Sequence, residues 1–455
     1  MHFELSVDFL DQIKASVNKK DSAFISENLS GLHAADINLV LMELDTLQSK
    51  YIIDLLDDEI SAEIISELDS DIRKEFLETF TAEEVVGIIK MIDSDDAADI
   101  LNEQGLKFRE EILSKVSDHE LLENLQDLLR YDEDCAGGLM AKELVKANSD
   151  WTVSQCIEEI KRQAEEVDKL YSIYVVNSNE KLIGRVSLKK ILLAPNHTKI
   201  EDLYEEDIIS VDVFMPEDEL VQLMSKYDLD AVPVVNVQNK LVGRITIDDV
   251  VDVITEQAEK ERNLMAGISE NVETNDSIWE LTRARLPWLL IGVLGGLLSA
   301  MLMGVFEEEL QSYAAIAFFI PLITATGGNV GIQSSSIIVQ SLVNKTAFDE
   351  STSKTLFKSF LVSLMNGTAI CLVVVTFVFA FKQEVNLSIV VGIAIFTVVI
   401  IASLMGTVTP IILSNFGVNP AVASGPFITT ANDILGIAIY FSVVHLLIIS
   451  PYFVS

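Results

Sequence analysis

In the segment GPFITTANDILG, residues 425 to 436, an apolar stretch carries a carboxylate, Asp433. An ionised acid at the centre of a bilayer costs several kcal/mol unless it meets water, a cation or a partner. The centres of the neighbouring apolar stretches offer no Arg, Lys or His, and His445 lies far along the same stretch. An unpaired acid there points to a cation path, with a proton relay as the open alternative. Further polar residues join it: Thr324, Thr326, Asn329, Gln333 and Ser334 among Pro321, Gly327, Gly328 and Gly331; Ser403, Thr407 and Thr409 before Pro410; and Thr429, Thr430 and Asn432 after Gly425-Pro426. These are oxygen donors with no thiolate or imidazole, which suits a hard cation such as Mg²⁺ or its water shell and not zinc or copper. The competing role for the Thr, Ser and Asn residues is to hold helices together.

A second concentration of acids lies in TIDDVVDVITEQAEKE, where Asp248, Asp249, Asp252, Glu256, Glu259 and Glu261 crowd one or two helix faces. Asp249 and Asp252 are i,i+3 and Asp252 and Glu256 are i,i+4, so each pair shares a face. A solvated helix is the plain reading. A divalent-ion sensor whose closed shape needs the ion is the sharper one, and the position just before the first apolar stretch favours it.

The elements that position these groups divide by composition. Of 70 acidic and 32 basic residues in 455, the stretch from 286 to 455 holds only 7 acids and 4 bases, which leaves a net charge of −35 on residues 1 to 285. Cores rarely grow past roughly 250 residues, so several units are expected. The acidic front excludes nucleic acid, whose binders need a basic footprint. Apolar spans fall at 287–306, 312–342, 357–381, 388–414 and 427–450, each long enough for roughly 30 Å of hydrocarbon. Lys345, Lys354 and Lys358 follow the second span, which places that loop and the large front part in the cytoplasm and the C-terminus outside. Met1 to Lys20 is too polar for a secretory signal. Three scattered cysteines, Cys135, Cys156 and Cys371, make neither a zinc ladder nor a disulfide framework.

Residues 1–130 read as short amphipathic helices with acidic connectors. Ala62-Glu63-Ile64 and Ala98-Asp99-Ile100, 36 residues apart, suggest a helical repeat. A stronger duplication follows: YVVNSNEKLIGRVSLKKIL from Tyr174 and PVVNVQNKLVGRITIDDVV from Pro233 are offset by 59 residues. Each reads as strand, turn, strand and helix, and modules this small are expected to pair.

PLITATGGNVGIQS, NPAVASGPFITTANDILG and RLPWL at 285–289 resemble the MgtE-type bacterial magnesium transporter and channel family, over essentially the whole chain. The duplicated modules are similar to a pair of CBS domains. The implied fold is multidomain: an all-α helical-repeat N domain (1–130), α/β tandem CBS domains (131–196 and 197–261), a connecting helix (262–284) and an all-α transmembrane domain of five helices (285–455). The resemblance implies a homodimer in the inner membrane with a pore on its two-fold axis, carrying Mg²⁺ when internal Mg²⁺ is low and closed by Mg²⁺ bound between N domain and CBS pair. Carried over, the pore acid is Asp433, with Gly328, Asn329, Gly425, Thr429 and Asn432 along the path. The regulatory ligands are Asp95, Asp218, Asp228, Asp249 and Asp252, with Glu259 and Glu261 beside them. The family commonly has a basic residue soon after GGN, where this chain has Gln340, and Gln257, Ala258 and Lys260 depart from the sensor pattern. ATP between the CBS modules is a further implied ligand, with Asp248 or Asp249 toward the ribose.

The expectation is therefore a Mg²⁺-gated Mg²⁺ channel or transporter and no enzyme, since no nucleophile with its base stands out. Two rivals are a proton- or sodium-coupled divalent cation transporter with the same sensor and a membrane signalling protein that senses adenylates.

Overall fold

The computed structural model describes residues 5–163, 170–270, 272, 277–343, 352–382, 384–423 and 425–448. Lys345, used above to orient the spans, lies outside the described residues. The chain divides into two units, Met1–Ile254 and Thr255–Ser455.

The first unit begins with helices set by a short repeat. After Val7–Lys19, helices start at Ser22, Ala34, Thr46, Asp58, Ser70, Ala82, Ser94 and Leu106, one every 12 residues, and His119–Leu128 follows. The residues just before those starts are Asp21, His33, Asp45, Asp57, Asp69, Thr81, Asp93 and Gly105, mostly the types whose side chains accept an orphan helix N–H. Asp45 with Gln48 and Thr81 with Glu84 complete capping boxes. The 36-residue offset seen in the sequence is three such steps, and in both copies the Ala and Ile (Ala62 and Ile64, Ala98 and Ile100) are buried. Each helix is too short to stand alone, so stability comes from stacking its apolar stripe on its neighbours.

The duplicated modules form two three-stranded sheets. Strands β1 (Val145–Asn148), β2 (Ile173–Val176) and β3 (Leu182–Val186) make one, and β4 (Val211–Asp212), β5 (Ala231–Val235) and β6 (Leu241–Thr246) the other. In each sheet the first pair is parallel and the second antiparallel, with a register shift at Val175/Val176 and, 59 residues later, at Val234/Val235. The modules join reciprocally: Leu182 N–H donates to Asn239 O at 3.1 Å and Leu241 N–H to Glu180 O at 3.2 Å. The helix after β3 is short, Leu188–Leu193, whereas its counterpart after β6 runs from Ile247 to Ala266.

In the second unit five helices are long and apolar enough to cross a membrane: Ile278–Val305, Ala314–Leu342, Thr352–Lys382, Val385–Asn415 and Pro420–Leu447. The chain is a multi-pass membrane protein. The fourth is the central one, with Val391, Ala394, Ile395, Val398 and Val399 buried against Ile323, Tyr440, Phe441 and Val444. The first and third present apolar side chains such as Leu297, Met301, Val373 and Phe377 outward. The stretch 262–284, read from the sequence as one connecting helix, is divided. The helix Ile247–Ala266 stops at Gly267, whose φ of 77° needs a glycine, and a new helix, capped by Ser277 and Glu280, starts at Ile278 and continues through Pro287 into the first span. EEEL after that span is its own short helix, Glu307–Ser312.

Candidate functional site

In the first unit the acids gather where the helix Ser94–Glu103 meets the second module. Ser94 Oγ donates to Glu143 at 2.8 Å and accepts from Lys142 N–H at 2.8 Å, while Arg244 of β6 pairs with Asp93 at 3.4 Å. These contacts set Asp95 and Asp96 near Asp249, with Asp252 acting on Asp96 and Asp99 lying next to Asp96 on the side of Arg73 and Glu133. Burial pushes Asp95 well above the usual carboxylate range, with Asp249, Asp96 and Asp93 adding to it. Burial and the charge of Asp249 push Asp96 up to about 6. Burial pushes Asp99 up to about 7, against the opposing pull of Arg73. Asp249 rises to about 6 through burial although Thr246 donates to it from N–H at 2.9 Å and from Oγ1 at 2.8 Å. Burial, then Asp248, raises Asp252. The buried Arg73 is committed elsewhere: it holds Glu103 through Nη2 at 2.5 Å and through Nε, and donates from Nη1 to Ser66 O at 2.6 Å. Asp95, Asp96, Asp249 and Asp252 thus share a partly buried site where ionisation is costly, and Asp99 adjoins it through Asp96.

The sequence singled out Asp95, Asp249 and Asp252 and missed Asp96 and Asp99, which the i, i+1, i+4 spacing of SDDAAD places on one side of the same helix. Asp218 is exposed in the first turn of Glu217–Tyr227, and Asp228 is exposed and ends that helix with a φ of 51°. Glu259 pairs with Arg262 at 3.4 Å, and Glu261 is half-buried.

In the second unit, glycines of the second span clear a face for the fifth. A methyl group on Gly328 would lie 3.3 Å from Thr429 Cγ2 and 3.8 Å from Asp433 Oδ1, and one on Gly331 would fall 1.8 Å from Asn432 Nδ2. Gly328, Thr429 and Asp433 therefore come together. Asp433 has no hydrogen-bond or ion-pair partner among the described residues. Asn432 is turned away from water, 1 % exposed, with neither amide atom bonded among the described residues. Asn329 is exposed. Several other polar residues act as helix glue: Thr324, Thr407 and Thr409 donate to carbonyls of their own helices, Ser334 and Ser403 meet across helices at 3.0 Å, and Ser335 donates to Ala423 O at 3.0 Å. His445, remote in the sequence reading, pairs with Glu309. Gly425 has a φ of 59°, and a methyl group on it would strike Met265 O at 2.1 Å; Gly267 likewise abuts Pro426. The end of the helix Ile247–Ala266 thus seats on the turn that starts the fifth span.

Three family models match in chain order: the MgtE intracellular N domain over residues 32–134, the CBS domain over 136–197 and 200–256, and MgtE, described as a divalent cation transporter, over 320–443. The chain is 33% identical to the magnesium transporter MgtE of Bacillus subtilis, over 70% of this chain and 71% of that protein. It is 31% identical to the magnesium transporter MgtE of Thermus thermophilus, over 71% of this chain and 72% of that protein. A solved structure of the cytosolic domain of the Mg²⁺ channel MgtE in complex with ATP aligns with a TM-score of 0.51 at 28% identity, covering 54% of this chain and 99% of that one. With a relative at this identity matched over more than two thirds of its length, and the three family models in order, the chain belongs to the MgtE family of divalent cation transporters.

Proposed function

We propose that this protein carries Mg²⁺ across the membrane along a path past Asp433 and closes that path when Mg²⁺ fills the carboxylate site of its cytosolic unit. The observation that carries the reading is Asp433: an acid within a span, beside a backbone cleared by Gly328, with no partner among the described residues. Mg²⁺ gives up its waters reluctantly, so the carboxylate holds the ion through its hydration shell, and two copies facing each other in a homodimer would share one hydrated ion. Larger, loosely hydrated ions gain less from such a site. Asn329, Thr429 and Gly425 belong to the same path, while the buried Asn432 supports it from behind.

For the gate, Asp95, Asp96, Asp99, Asp249 and Asp252 repel one another when Mg²⁺ is scarce and loosen the N domain from the CBS pair. Mg²⁺ offsets the repulsion and shifts the population to the closed form. The helix Ile247–Ala266 carries the change to the turn at Gly425-Pro426, on which its end is seated. Asp218, Asp228, Glu259 and Glu261 are the outer ligands of the same regulation. The N-terminal part lies in the cytoplasm and the C-terminus outside. ATP is the second cytosolic ligand, between the CBS modules, where the Tyr174 hydroxyl is buried without a partner among the described residues and Tyr171 lies 5.8 Å from the Arg244 guanidinium.

Replacing Asp433 by Ala tests the path. Mg²⁺ uptake into liposomes falls to background in the variant, and an unchanged flux refutes the assignment. Flux that needs a proton or Na⁺ gradient would instead place the protein among coupled transporters.

A further inference from the structure

His33 occupies a capping position that holds Asp in most of the twelve-residue steps, and its Nδ1 accepts the Ala35 N–H at a long 3.4 Å. Beside it stand Glu63 and Glu67, one helical turn apart at the end of Asp58–Ser66. One ligand atom from each of the three, an imidazole nitrogen and two carboxylate oxygens, lies within 4.8 Å of the others. Beneath them is Asn38, 6% exposed. Its Nδ2 donates to Ile64 O at 3.2 Å and its Oδ1 is buried with no partner among the described residues; burial, then Glu63, raises the Glu67 carboxyl, while His33 and a hydrogen bond with Asn38 pull it down. Asp252 is close enough to act on Glu67 electrostatically.

We propose that His33, Glu63 and Glu67 form a second cation site, specific for a borderline transition ion such as Zn²⁺, with the Asn38 carbonyl oxygen completing or supporting the ligand set. One nitrogen and two carboxylates is a donor set that Zn²⁺ accepts and that Mg²⁺, which prefers oxygen ligands in octahedral array, does not favour. Tetrahedral ligands on bonds of about 2.1 Å stand about 3.4 Å apart. The three groups are exposed, so rotation of their side chains closes the cluster without moving the backbone. Coordination through Nε2 puts the imidazole proton on Nδ1 and gives up the long bond from Ala35. A bound dication also attracts Asp252, so the site holds the N domain against the second module and closes the protein at lower metal concentration than Mg²⁺ does. This last step rests on the gating reading given above.

The test uses the metal-stripped full-length protein in detergent, titrated with Zn²⁺ alone by calorimetry and with Co²⁺ followed by its visible absorption. Two variants accompany it: His33→Asn, which keeps a capping side chain, and Glu67→Gln. Zn²⁺ binding in the wild type that weakens at least tenfold in both variants, with loss of the intense tetrahedral Co²⁺ bands in His33→Asn, supports the site. Equal Zn²⁺ affinity in wild type and variants, or no Zn²⁺ binding, overturns it. Protease protection by Mg²⁺ is measured on the same samples. If Mg²⁺ fails to protect even the wild type, the gating reading falls, while the Zn²⁺ titration still decides the site.

Discussion

Asp99 is the most direct handle on the energy stored in the carboxylate site, because it sits among the acids at the edge of the sequence-derived ligand set. Its carboxyl stands at about 7 in the folded protein against an ordinary 3.8, chiefly through burial. Between those values the folded state binds more protons than the unfolded state, so stability contributed by this group is complete below about 4 and declines as pH rises toward 7. At about 1.4 kcal/mol per pH unit the ceiling is about 4 kcal/mol. Water penetration and adjustment of Arg73 reduce it, and about 2 kcal/mol is the working figure. Asp99→Asn removes the ionisable group and keeps its size, and Arg73 retains Glu103. The variant should therefore match the wild type at pH 4 and exceed it at pH 8. Without Mg²⁺, the melting temperature of the first unit should rise by about 4–8 °C at pH 8, at about 2–4 °C per kcal/mol for a unit of this size. The Mg²⁺ concentration that gives half-maximal protease protection should fall as well, because part of the repulsion that the ion offsets is already gone. Thermal unfolding of the full-length protein at both pH values, with and without Mg²⁺, reads each effect. A gain that does not depend on pH, or a loss of stability at pH 8, refutes the reasoning.

Gly425→Ala forces a side chain into backbone with a φ of 59° and against Met265 O, so it should unseat the end of the helix Ile247–Ala266; flux should persist at Mg²⁺ concentrations that silence the wild type, measured by uptake into liposomes. Glu103→Gln leaves the buried Arg73 charge without its carboxylate and should cost about 3 kcal/mol in urea unfolding of the first unit. Gly406→Ala would place a methyl group 2.4 Å from Gly331 O and 3.0 Å from Ser334 Cβ, which separates the second and fourth spans; the detergent-solubilised protein should melt lower by at least the equivalent of about 1–3 kcal/mol. The wild type itself should lose Mg²⁺ protection from protease as pH falls from 7.5 to 5, because Asp96 and Asp249, both at about 6, take up protons in place of the ion.

The parts of the architecture that repeat or run long were legible in the residues. The 59-residue offset carried over to strand order, to the register shift and even to the left-handed residues Glu180 and Asn239, because the same pattern of apolar alternation and turn residues folds twice. The five spans were legible because lipid demands uninterrupted apolar length. Their ends were not. Pro287 sits inside a helix that begins at Ile278, and the helix Ile247–Ala266 ends at Gly267, which packs on Pro426, a contact between residues far apart in the chain. The twelve-residue step was visible only as its triple, since each helix is a single apolar stripe of two turns and its caps are common residues. At the acidic site, Asp99 looks like any solvated acid on a helix in the sequence. Its burial is set by how the chain packs around it, and Arg73, the cation that tempers it, is paired to Glu103 across 30 residues. His33 gave no signal at all, because its partners belong to a helix two steps further on.

The central claim is that one chain holds both a Mg²⁺ path and the Mg²⁺ sensor that closes it. Current from the purified protein in liposome patches tests this most directly, with Mg²⁺ as the permeant cation and cytosolic-side Mg²⁺ stepped from near zero to about 10 mM, a range that spans weak Mg²⁺ binding. The account predicts openings at low Mg²⁺ that vanish as Mg²⁺ rises, and no current from Asp433→Ala at any concentration. Current that ignores cytosolic Mg²⁺, or silence with uptake driven only by a second ion gradient, would contradict it.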